Sequence, residues 1–455
     1  MRPAIALLAA LPVLAQQPQQ QLAREIFKQL IEINTTDSVG DNTRAAEAMA
    51  ARFRAAGFPE SDIKVLGPVP KKRNLVVRLH GTGAGRPVLF IGHLDVVEAK
   101  RSDWSFDPFE FREEGGYFYG RGTQDMKGDD AILVATFLRL KSEGFRPARD
   151  MILALTSDEE GGNYNGIDWL VKNHRDLIDA EFCVNADGGG GVIRNGKHVS
   201  MSLQAAEKVF LSFRLEVTNA GGHSSLPTKD NAIYHLAGGL ARLGNFDFPV
   251  HLFDVTRSEL ERTAALDPGP AGTDMKAVLM NPNDKAAVER LSATPLYNAL
   301  LRTTCVATML SGGHAENALP QTASAVVNCR MLPPDNPVEV EKTLKSVLDD
   351  AKISVTQMAP PKMSKFTPMN AKVLAAATAA TNKAWPGLPV IPVMTTGASD
   401  GVYLNVSGIP TYGVTGIFVD RDDVRAHGRD ERILAQSFYD AIDFMYDVAT
   451  RLGRD

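Results

Sequence analysis

The apolar residues of this chain follow two different repeats, and their order limits the folds open to it. Val88 to Gly92 and Met151 to Thr156 are continuous apolar runs, which are typical of strands buried on both faces of a sheet. Segments with a helical repeat, such as Gly128 to Glu143, separate these runs along the chain. Strands that alternate with helices predict a mostly parallel α/β sheet with helices on both faces.

The pattern changes in the middle of the chain. Val209 to Val217 alternates strictly between apolar and other residues, which predicts a strand of an antiparallel sheet with one face in solvent. The elements that follow complete the order β-α-β-β-α-β of a ferredoxin-like α+β domain, with Gly244 to Leu301 as a partly helical insertion. We therefore predict a first domain interrupted by a smaller one. The predicted boundaries are 1–20 for a signal peptide and linker, 21–203 and 362–455 for the two parts of the first domain, and 204–361 for the inserted domain.

Size and charge exclude some classes of protein. With 455 residues the chain is too long for a single core. Its net charge of -5 provides no basic surface for nucleic acid.

The N-terminus has the pattern of a secretory signal peptide. Arg2 precedes an apolar run from Ala4 to Leu14, and Val13-Leu14-Ala15 resembles a small-residue cleavage site. The run is too short for a permanent membrane anchor. We expect an exported protein, periplasmic or secreted, that leaves the membrane after processing. The alternative is an apolar N-terminus that stays attached.

Three cysteines are too few for a disulfide scaffold. If Cys305 and Cys329 lie on neighbouring strands, an exported protein would permit one bridge between them. The sequence leaves the bonded and the free state open.

The stretch Ser157 to Gly162 places three acids, Asp158, Glu159 and Glu160, directly after a buried strand. Three neighbouring carboxylates repel one another and do not favour packing. Either solvent surrounds them in an acidic surface turn, or a strongly positive group neutralises them.

Other potential ligands also lie in loops, most of them just after predicted strands. Each has an ordinary explanation alone; an aspartate before a helix, for instance, is a common N-cap. Parallel strands bring such loops to one edge of the sheet, and two imidazoles with three carboxylates suit a pair of zinc ions that share one carboxylate and a water. The predicted metal ligands are His93, Asp125, Glu160, Asp187 and His427.

Asp95 follows His93 by two residues, so both side chains face the same way in an extended chain. Asp95 can therefore accept the second imidazole N–H while His93 binds metal. A single structural zinc is a poorer interpretation, because structural sites favour cysteine and no cysteine lies at a ligand position.

Five motifs occur in order over nearly the whole chain. They are Gly92-His93-Leu94-Asp95-Val96-Val97, Gly120-Arg121-Gly122 with Asp125-Met126-Lys127-Gly128, Asp158-Glu159-Glu160-Gly161, Gly221-Gly222-His223-Ser224-Ser225 and Ala426-His427-Gly428. This set resembles the co-catalytic zinc metallopeptidase family, which includes aminoacylase, glutamate carboxypeptidase, carboxypeptidase S, carnosinase and succinyl-diaminopimelate desuccinylase. The fold of that family, a zinc-binding α/β domain with an inserted lid and dimerisation domain, agrees with the predicted boundaries.

The resemblance implies a role for each metal-site residue. One zinc is held by His93, Asp125 and Asp187, and the other by Asp125, Glu160 and His427, with Co²⁺ or Mn²⁺ as possible substitutes. Asp95 orients His93, and Glu159 is the general base. A cis peptide bond after Asp125 is also expected.

Outside the metal site, the resemblance implies that His223 stabilises the oxyanion, reaching the site from a second subunit's inserted domain. The alternative is a histidine that caps the following helix. Asn317 and Arg330 match positions that bind the substrate carboxylate, although Asn328 replaces the aspartate more frequent near that arginine. Gly397 and Ser399 match a substrate loop, whose alternative is a plain turn.

We therefore predict an exported zinc-dependent amidohydrolase, acting as a carboxypeptidase- or dipeptidase-like exopeptidase next to a free carboxylate. The alternative enzyme is an aminoacylase-like N-acyl-amino-acid deacylase. A non-catalytic exported binding protein is the alternative from another class. A homodimer that forms through the inserted domain is expected, with a small peptide or N-acyl-amino acid as substrate.

Overall fold

The computed structural model describes residues 17–363 and 369–454. The predicted signal peptide lies within residues 1–16, outside the described residues. Helix α1 begins at Pro18, inside the predicted linker. The helices are α1 (Pro18–Ile31), α2 (Asn42–Ala55), α3 (Lys127–Ser142), α4 (Gly166–Asn173), α5 (Arg175–Ile178), α6 (Ala232–Gly244), α7 (Asp254–Leu266), α8 (Pro270–Met280), α9 (Lys285–Ser292), α10 (Pro295–Leu301), α11 (Pro337–Leu348), α12 (Ala371–Ala384), α13 (Gly401–Val406) and α14 (Ala435–Arg454).

The strands fall into a large sheet, a four-stranded sheet and two small ones. They are β1 (Ile63–Leu66), β2 (Asn74–Leu79), β3 (Gly85–His93), β4 (Arg112–Glu114), β5 (Tyr117–Tyr119), β6 (Arg149–Thr156), β7 (Phe182–Asn185), β8 (Gly190–Arg194), β9 (Lys197–Glu207), β10 (Val209–Thr218), β11 (Gly222–His223), β12 (Thr304–Gly312), β13 (Ala318–Leu319), β14 (Thr322–Met331), β15 (Ser354–Gln357), β16 (Val390–Thr395), β17 (Thr411–Gly413), β18 (Phe418–Asp420) and β19 (Arg432–Leu434).

The large sheet is mixed, with a parallel centre. Its order is β1-β2-β6-β3-β7-β17-β9-β8-β18, and β16 pairs with β9. Strands β6, β3, β7 and β17 run parallel to their neighbours in this series, whereas β1 and β2 add antiparallel at one edge. The carboxyl ends of β6, β3 and β7 therefore meet at one edge of the sheet, where α/β proteins bind their ligands.

Alternate residues of the central strands supply two separate cores. Val88 and Phe90 pack with α1, α3, α12 and α14 on one face, while Leu89 and Ile91 pack with α4 and α13 on the other. Because both faces are covered, these strands are apolar throughout, as the sequence pattern predicted.

The inserted four-stranded sheet has the predicted ferredoxin-like topology. Its order is β12-β14-β10-β15, all antiparallel, and α6 and α11 cover one face. Cys305 on β12 and Cys329 on β14 face each other and form a disulfide. The bridge that the sequence left open is thus present.

The inserted region and the large sheet of the first domain are in direct contact. The predicted boundary at 203/204 falls inside β9, because the pairing of β9 with β16 continues to Glu207, so the inserted sheet begins only at Val209. The segment Gly244 to Leu301 contains the four helices α7 to α10. Helix α7 packs against β16, and its Arg262 donates to the carbonyl oxygen of Val390. Among the described helices, none is both long and apolar enough to cross a membrane.

Candidate metal centre and active site

Five segments bring the predicted ligands together at the carboxyl edge of the large sheet. His93 is the last residue of β3, Glu160 follows β6 and Asp187 follows β7, so three ligands come from three adjacent parallel strands. Asp125 lies two residues before the start of α3, and the expected cis peptide bond between Asp125 and Met126 is present. His427 lies in the loop before β19.

Asp125 lies between the two imidazoles. Its Oδ1 is 3.1 Å from Nε2 of His93, and its Oδ2 is 3.1 Å from Nε2 of His427. The same His427 nitrogen is 2.9 Å from Oε1 of Glu160. Each oxygen of one carboxylate thus faces a different imidazole, which fits a carboxylate shared by two cations.

A second group of donors adjoins the first. Ligand atoms of His93, Glu159 and Asp187 lie within 4.8 Å of one another, as do those of His93, Asp125 and Glu160, so Glu159, which was predicted as the base and not as a ligand, lies against the metal position of His93 and Asp187. Imidazole nitrogens with carboxylate oxygens are a donor set that zinc accepts. The residues present therefore fit a pair of divalent metal ions.

The pKa shifts show that negative charge is concentrated here. Burial raises the pKa of Asp187 well above its usual range and the pKa of Glu159 to about 8. Hydrogen bonds to Asp125 and Glu160 raise the pKa of His427 to about 10. Burial would raise the pKa of Asp125, but its bonds to both imidazoles hold that pKa well below its usual value. Bound cations would relieve the mutual repulsion of these carboxylates.

Asp95 holds His93 differently from the prediction. Nδ1 of His93 donates to the backbone carbonyl oxygen of Asp95 at 3.0 Å, whereas the nearer carboxylate oxygen is 3.7 Å away. The carboxylate accepts the backbone N–H groups of Glu159 at 3.1 Å and Glu160 at 3.0 Å. Asp95 thus fixes the tautomer of His93 through its backbone, leaving Nε2 free to coordinate, and its side chain holds the acidic stretch.

The comparisons with known proteins agree with this centre. The model of Peptidase family M20/M25/M40 matches residues 89–451. The chain belongs to this family. It is accordingly a metallopeptidase or amidohydrolase.

Curated relatives of this M20/M25/M40 protein include both peptidases and acylases. A probable carboxypeptidase S-like 2 of Dictyostelium discoideum is 27% identical over 374 residues, covering 79% of this chain and 70% of the relative. Aminoacylase-1 of Mus musculus is 28% identical over 442 residues, or 94% of each chain. The metallo-carboxypeptidase Sso-CP2 of Sulfolobus solfataricus has the same fold, with a TM-score of 0.68 at 19% identity over 95% of this chain and 99% of that one.

In this M20/M25/M40 protein the first acid of the stretch, Asp158, has a partner outside the metal centre. The carboxylate of Asp158 is buried and lies 2.5 Å from Nζ of Lys72. Lys72 also pairs with Asp37 at 2.8 Å. The repulsion that the sequence predicts is therefore relieved at Asp158 by a lysine, far away in sequence, which the sequence pattern did not indicate.

Glu431 is a buried residue of the site that sequence reasoning missed. Its carboxylate accepts the backbone N–H groups of Gly122, Gln124 and Asp125 at 3.1, 2.7 and 3.0 Å. Arg121 donates to it at 2.6 Å. Glu431 therefore holds the loop that presents Asp125. Its position four residues after His427, just before β19, was the only signal in the sequence.

A cavity of about 370 Å³ opens beside Glu159. The predicted Ser399 lines it, but its hydroxyl donates to Glu207 at 3.0 Å and its backbone N–H donates to the same carboxylate at 2.9 Å. Lys362 also lines the cavity, with Nζ 3.6 Å from the centre of the Tyr403 ring. Ser399 thus shapes the loop, and Lys362 adds a positive charge that sequence reasoning did not single out.

Arg330 and Gly397, which were also predicted to bind substrate, do not line this cavity themselves. The guanidinium of Arg330 lies over the ring of Phe210, 4.8 Å from its centre, and Phe210 lines the cavity. Asn328, the unusual neighbour of Arg330, donates to Ser212 across the sheet. Gly397 is exposed, and a side chain there would meet nothing within 4 Å.

His223 and Asn317 lie together on the inserted domain. Both are exposed, and the carbonyl oxygen of Asn317 accepts the N–H of Ser224. Nδ1 of His223 accepts the N–H of Ser225 at 3.1 Å. His223 does not cap the following helix, because Asn231 is the N-cap of α6. Neither residue belongs to the two metal-ligand groups found in the described chain.

Proposed function

We propose that this protein is a di-zinc exopeptidase that hydrolyses an amide bond next to a free carboxylate. The observation that carries this proposal is the position of Asp125 between His93 and His427, with Glu159 at the adjoining cavity. Two divalent cations bound there would polarise the amide carbonyl and lower the pKa of a water molecule.

Glu159 carries the proton in the proposed reaction. Its carboxylate takes a proton from the attacking water, whose oxygen forms a bond to the amide carbon. The amide C–N bond then breaks, and Glu159 delivers the proton to the leaving amine. The backbone N–H groups of Glu159 and Glu160 donate to the carboxylate of Asp95 and so hold this part of the backbone. In the proposed site Glu159 then acts on the water while Glu160 binds metal.

The test is Glu159→Gln, with the exposed Glu114→Gln as its control. We expect Glu159→Gln to retain metal and fold while kcat falls about 10²- to 10⁴-fold, the usual contribution of a general base. Glu114→Gln should match the wild type. Unchanged turnover in Glu159→Gln with full metal content would contradict the role of Glu159.

N-acyl-amino-acid deacylation is the second candidate, and the match to aminoacylase-1 along 94% of both chains favours it. Both reactions break an amide bond beside a carboxylate. Candidate anchors for that carboxylate are Arg330, Asn317 and Lys362. A panel of dipeptides and N-acyl-amino acids with zinc present separates the two activities.

A homodimer through the inserted domain is part of the proposal. Strand β12 is an edge of its sheet, and Val306, Met309 and Leu310 on it are exposed. An exposed apolar edge strand favours pairing with another chain. Leu310→Glu should convert the dimer to a monomer in light scattering; a wild-type monomer would contradict this part.

If His223 acts across the dimer, mixed His223→Ala and Arg330→Ala subunits should regain activity.

Export to an oxidising compartment also belongs to the proposal. It is supported by the N-terminal pattern from Arg2 to Ala15 and by the Cys305–Cys329 disulfide, since such bonds persist outside the cytoplasm. Fractionation of the source cells with N-terminal sequencing of the mature protein tests it. A full-length cytoplasmic protein would contradict it.

A further inference from the structure

A second cavity reaches the metal centre from another side. It has a volume of about 510 Å³ and is lined by Asp187 and by Ala426, the neighbour of His427. Glu259 of helix α7 and Leu296 of α10 also line it. The helical insertion between the strands of the inserted domain therefore contributes a wall to a chamber that includes a metal-site residue.

Glu259 is the unexplained charge in this chamber. One oxygen accepts the backbone N–H of Met394 at 2.9 Å. No ion pair among residues 17–363 and 369–454 involves Glu259, although Arg421 at the chamber contributes positive charge from beyond ion-pair distance. Burial raises the pKa of Glu259 to about 7. A desolvated carboxylate without a paired cation is costly, and a cationic ligand would compensate it.

The two chambers divide the substrate at the scissile bond. The cavity beside Glu159, here the first chamber, contains the residue that delivers the proton to the leaving amine in the proposed reaction. The amine part of the substrate is therefore assigned to this chamber. A substrate that crosses the metal centre then has its acyl part in the second chamber, beside Asp187.

We propose that Glu259 binds the N-terminal ammonium group of a short peptide whose acyl part occupies this second chamber. The inference rests on the proposed amide hydrolysis and adds to it the class of substrate. It favours peptides with a free N-terminus over N-acyl-amino acids, which carry no charge there. Glu259 and Asp187 are the only acids among the described residues that line this chamber.

The test compares Glu259→Gln with Glu261→Gln, an exposed acid of the same helix. Glutamine keeps a carbonyl oxygen for the N–H of Met394, so the fold should be preserved. The substrates are Ala-Leu, Ala-Ala-Leu, their N-acetyl forms, and N-acetyl-Lys-Leu, assayed with the zinc-loaded protein. Metal content and melting temperature are measured for each variant.

We expect Glu259→Gln to lower kcat/KM for a free-amine peptide about 10- to 100-fold, mainly through KM, because a charged hydrogen bond is lost. The N-acetyl peptides should be unaffected, and Glu261→Gln should match the wild type throughout. Whether Ala-Leu or Ala-Ala-Leu shows the larger loss gives the distance from the amine to the scissile bond.

Several results would overturn the inference. An equal loss for free and acetylated peptides would mean that Glu259 is only structural, and no loss would mean that it does not bind the amine. A loss for N-acetyl-Lys-Leu alone would assign Glu259 to a side-chain amine. Wild-type preference for the N-acetyl forms over the free-amine peptides would assign the chamber to an uncharged acyl group. If the zinc-loaded wild type hydrolyses none of these amides, the proposed function itself fails, a result distinct from the others.

Discussion

At the scale of single residues, the site depends on acids that hold other parts of the site in place. Asp95 accepts two backbone N–H groups from the acidic stretch, and Glu431 accepts three from the loop that ends at Asp125. Such buried carboxylates are strong acceptors for backbone N–H groups. The ligands are therefore positioned by backbone hydrogen bonds as much as by packing.

Glu431→Gln tests this positioning. The amide nitrogen would face Arg121 or backbone N–H groups, and a charge on Arg121 would lose its partner. Removing one member of a buried ion pair costs about 3 to 5 kcal/mol, so we expect a fall of that order in the free energy of unfolding. Denaturant titration measures it, with Glu32→Gln as the control, because Glu32 directly follows α1 and forms an exposed ion pair with Lys28. A change below about 1 kcal/mol would contradict this role for Glu431.

Lys208 gives a pH-dependent prediction at the same scale. It is buried between β9 and β10, and burial lowers its pKa to about 7, while its Nζ donates to the carbonyl oxygen of Arg302. Between pH 7 and about 10.4 the unfolded chain holds the proton that the folded chain has released, so stability rises with pH. Relative to Lys208→Met, the wild type should therefore gain stability from pH 7 to pH 10. A constant difference between the two would contradict the lowered pKa.

The sequence could indicate the candidate metal ligands because residue type and position after a strand are local features, and the structure brings these candidates close together. It did not predict the bond of Asp95 to the acidic stretch, or the pairing of Lys72 with Asp158, because these contacts join residues 64 or more positions apart. Such partners depend on the three-dimensional path of the chain, which no local pattern contains. The Cys305–Cys329 bond shows the intermediate case, since strand pairing was foreseen but the bond was not decided.

At the scale of elements, the position of Asp187 depends on how closely the segment after β7 approaches the neighbouring strands. The segment Gly188 to Gly191 leads from Asp187 into β8 and passes close to the backbone of β9 and β17. Gly189 has φ +80°, and a Cβ there would be 2.6 Å from the carbonyl oxygen of Ser202 and 2.7 Å from that of Gly413. Neither backbone oxygen has room to move without disturbing the sheet.

Gly189→Ala should therefore cost more than backbone strain alone. Gly57 is a matched control, because it has the same φ of +80° and a Cβ there meets nothing within 4 Å. We expect Gly57→Ala to destabilise by about 1 to 2 kcal/mol and Gly189→Ala by about 1 to 3 kcal/mol more, with reduced metal affinity through Asp187. Thermal unfolding and metal titration measure both effects. Equal losses in the two variants would contradict the crowding.

The elements themselves were largely predictable, since continuous and alternating apolar patterns distinguish buried strands from half-exposed ones. The order of strands in the large sheet was not, because antiparallel edges such as β1 and β2 depend on long-range pairing. The contact of α7 with β16 was also missed, since the insertion was expected to belong to the inserted domain alone.

At the scale of the whole molecule, one metal centre unites three parts of the chain. The large sheet supplies the ligands, the inserted domain contributes Phe210 to the cavity beside Glu159, and the helical insertion contributes Glu259 to the second chamber. Any relative movement of these parts would change the shape of both chambers. Membership of the family explains the candidate metal centre, whereas the helical insertion supplies one wall of the second chamber.

The number of metal ions bound per chain tests the central claim most directly. The purified protein is dialysed against chelator, reloaded with zinc and analysed by mass spectrometry, and amide hydrolysis is measured in each state. We predict about two zinc ions per chain, activity that is lost with the metal, and activity that returns on reloading. Asp125→Ala should lose both ions, because its carboxylate lies between His93 and His427. One ion per chain at full activity, or hydrolysis that survives complete metal removal, would contradict the account.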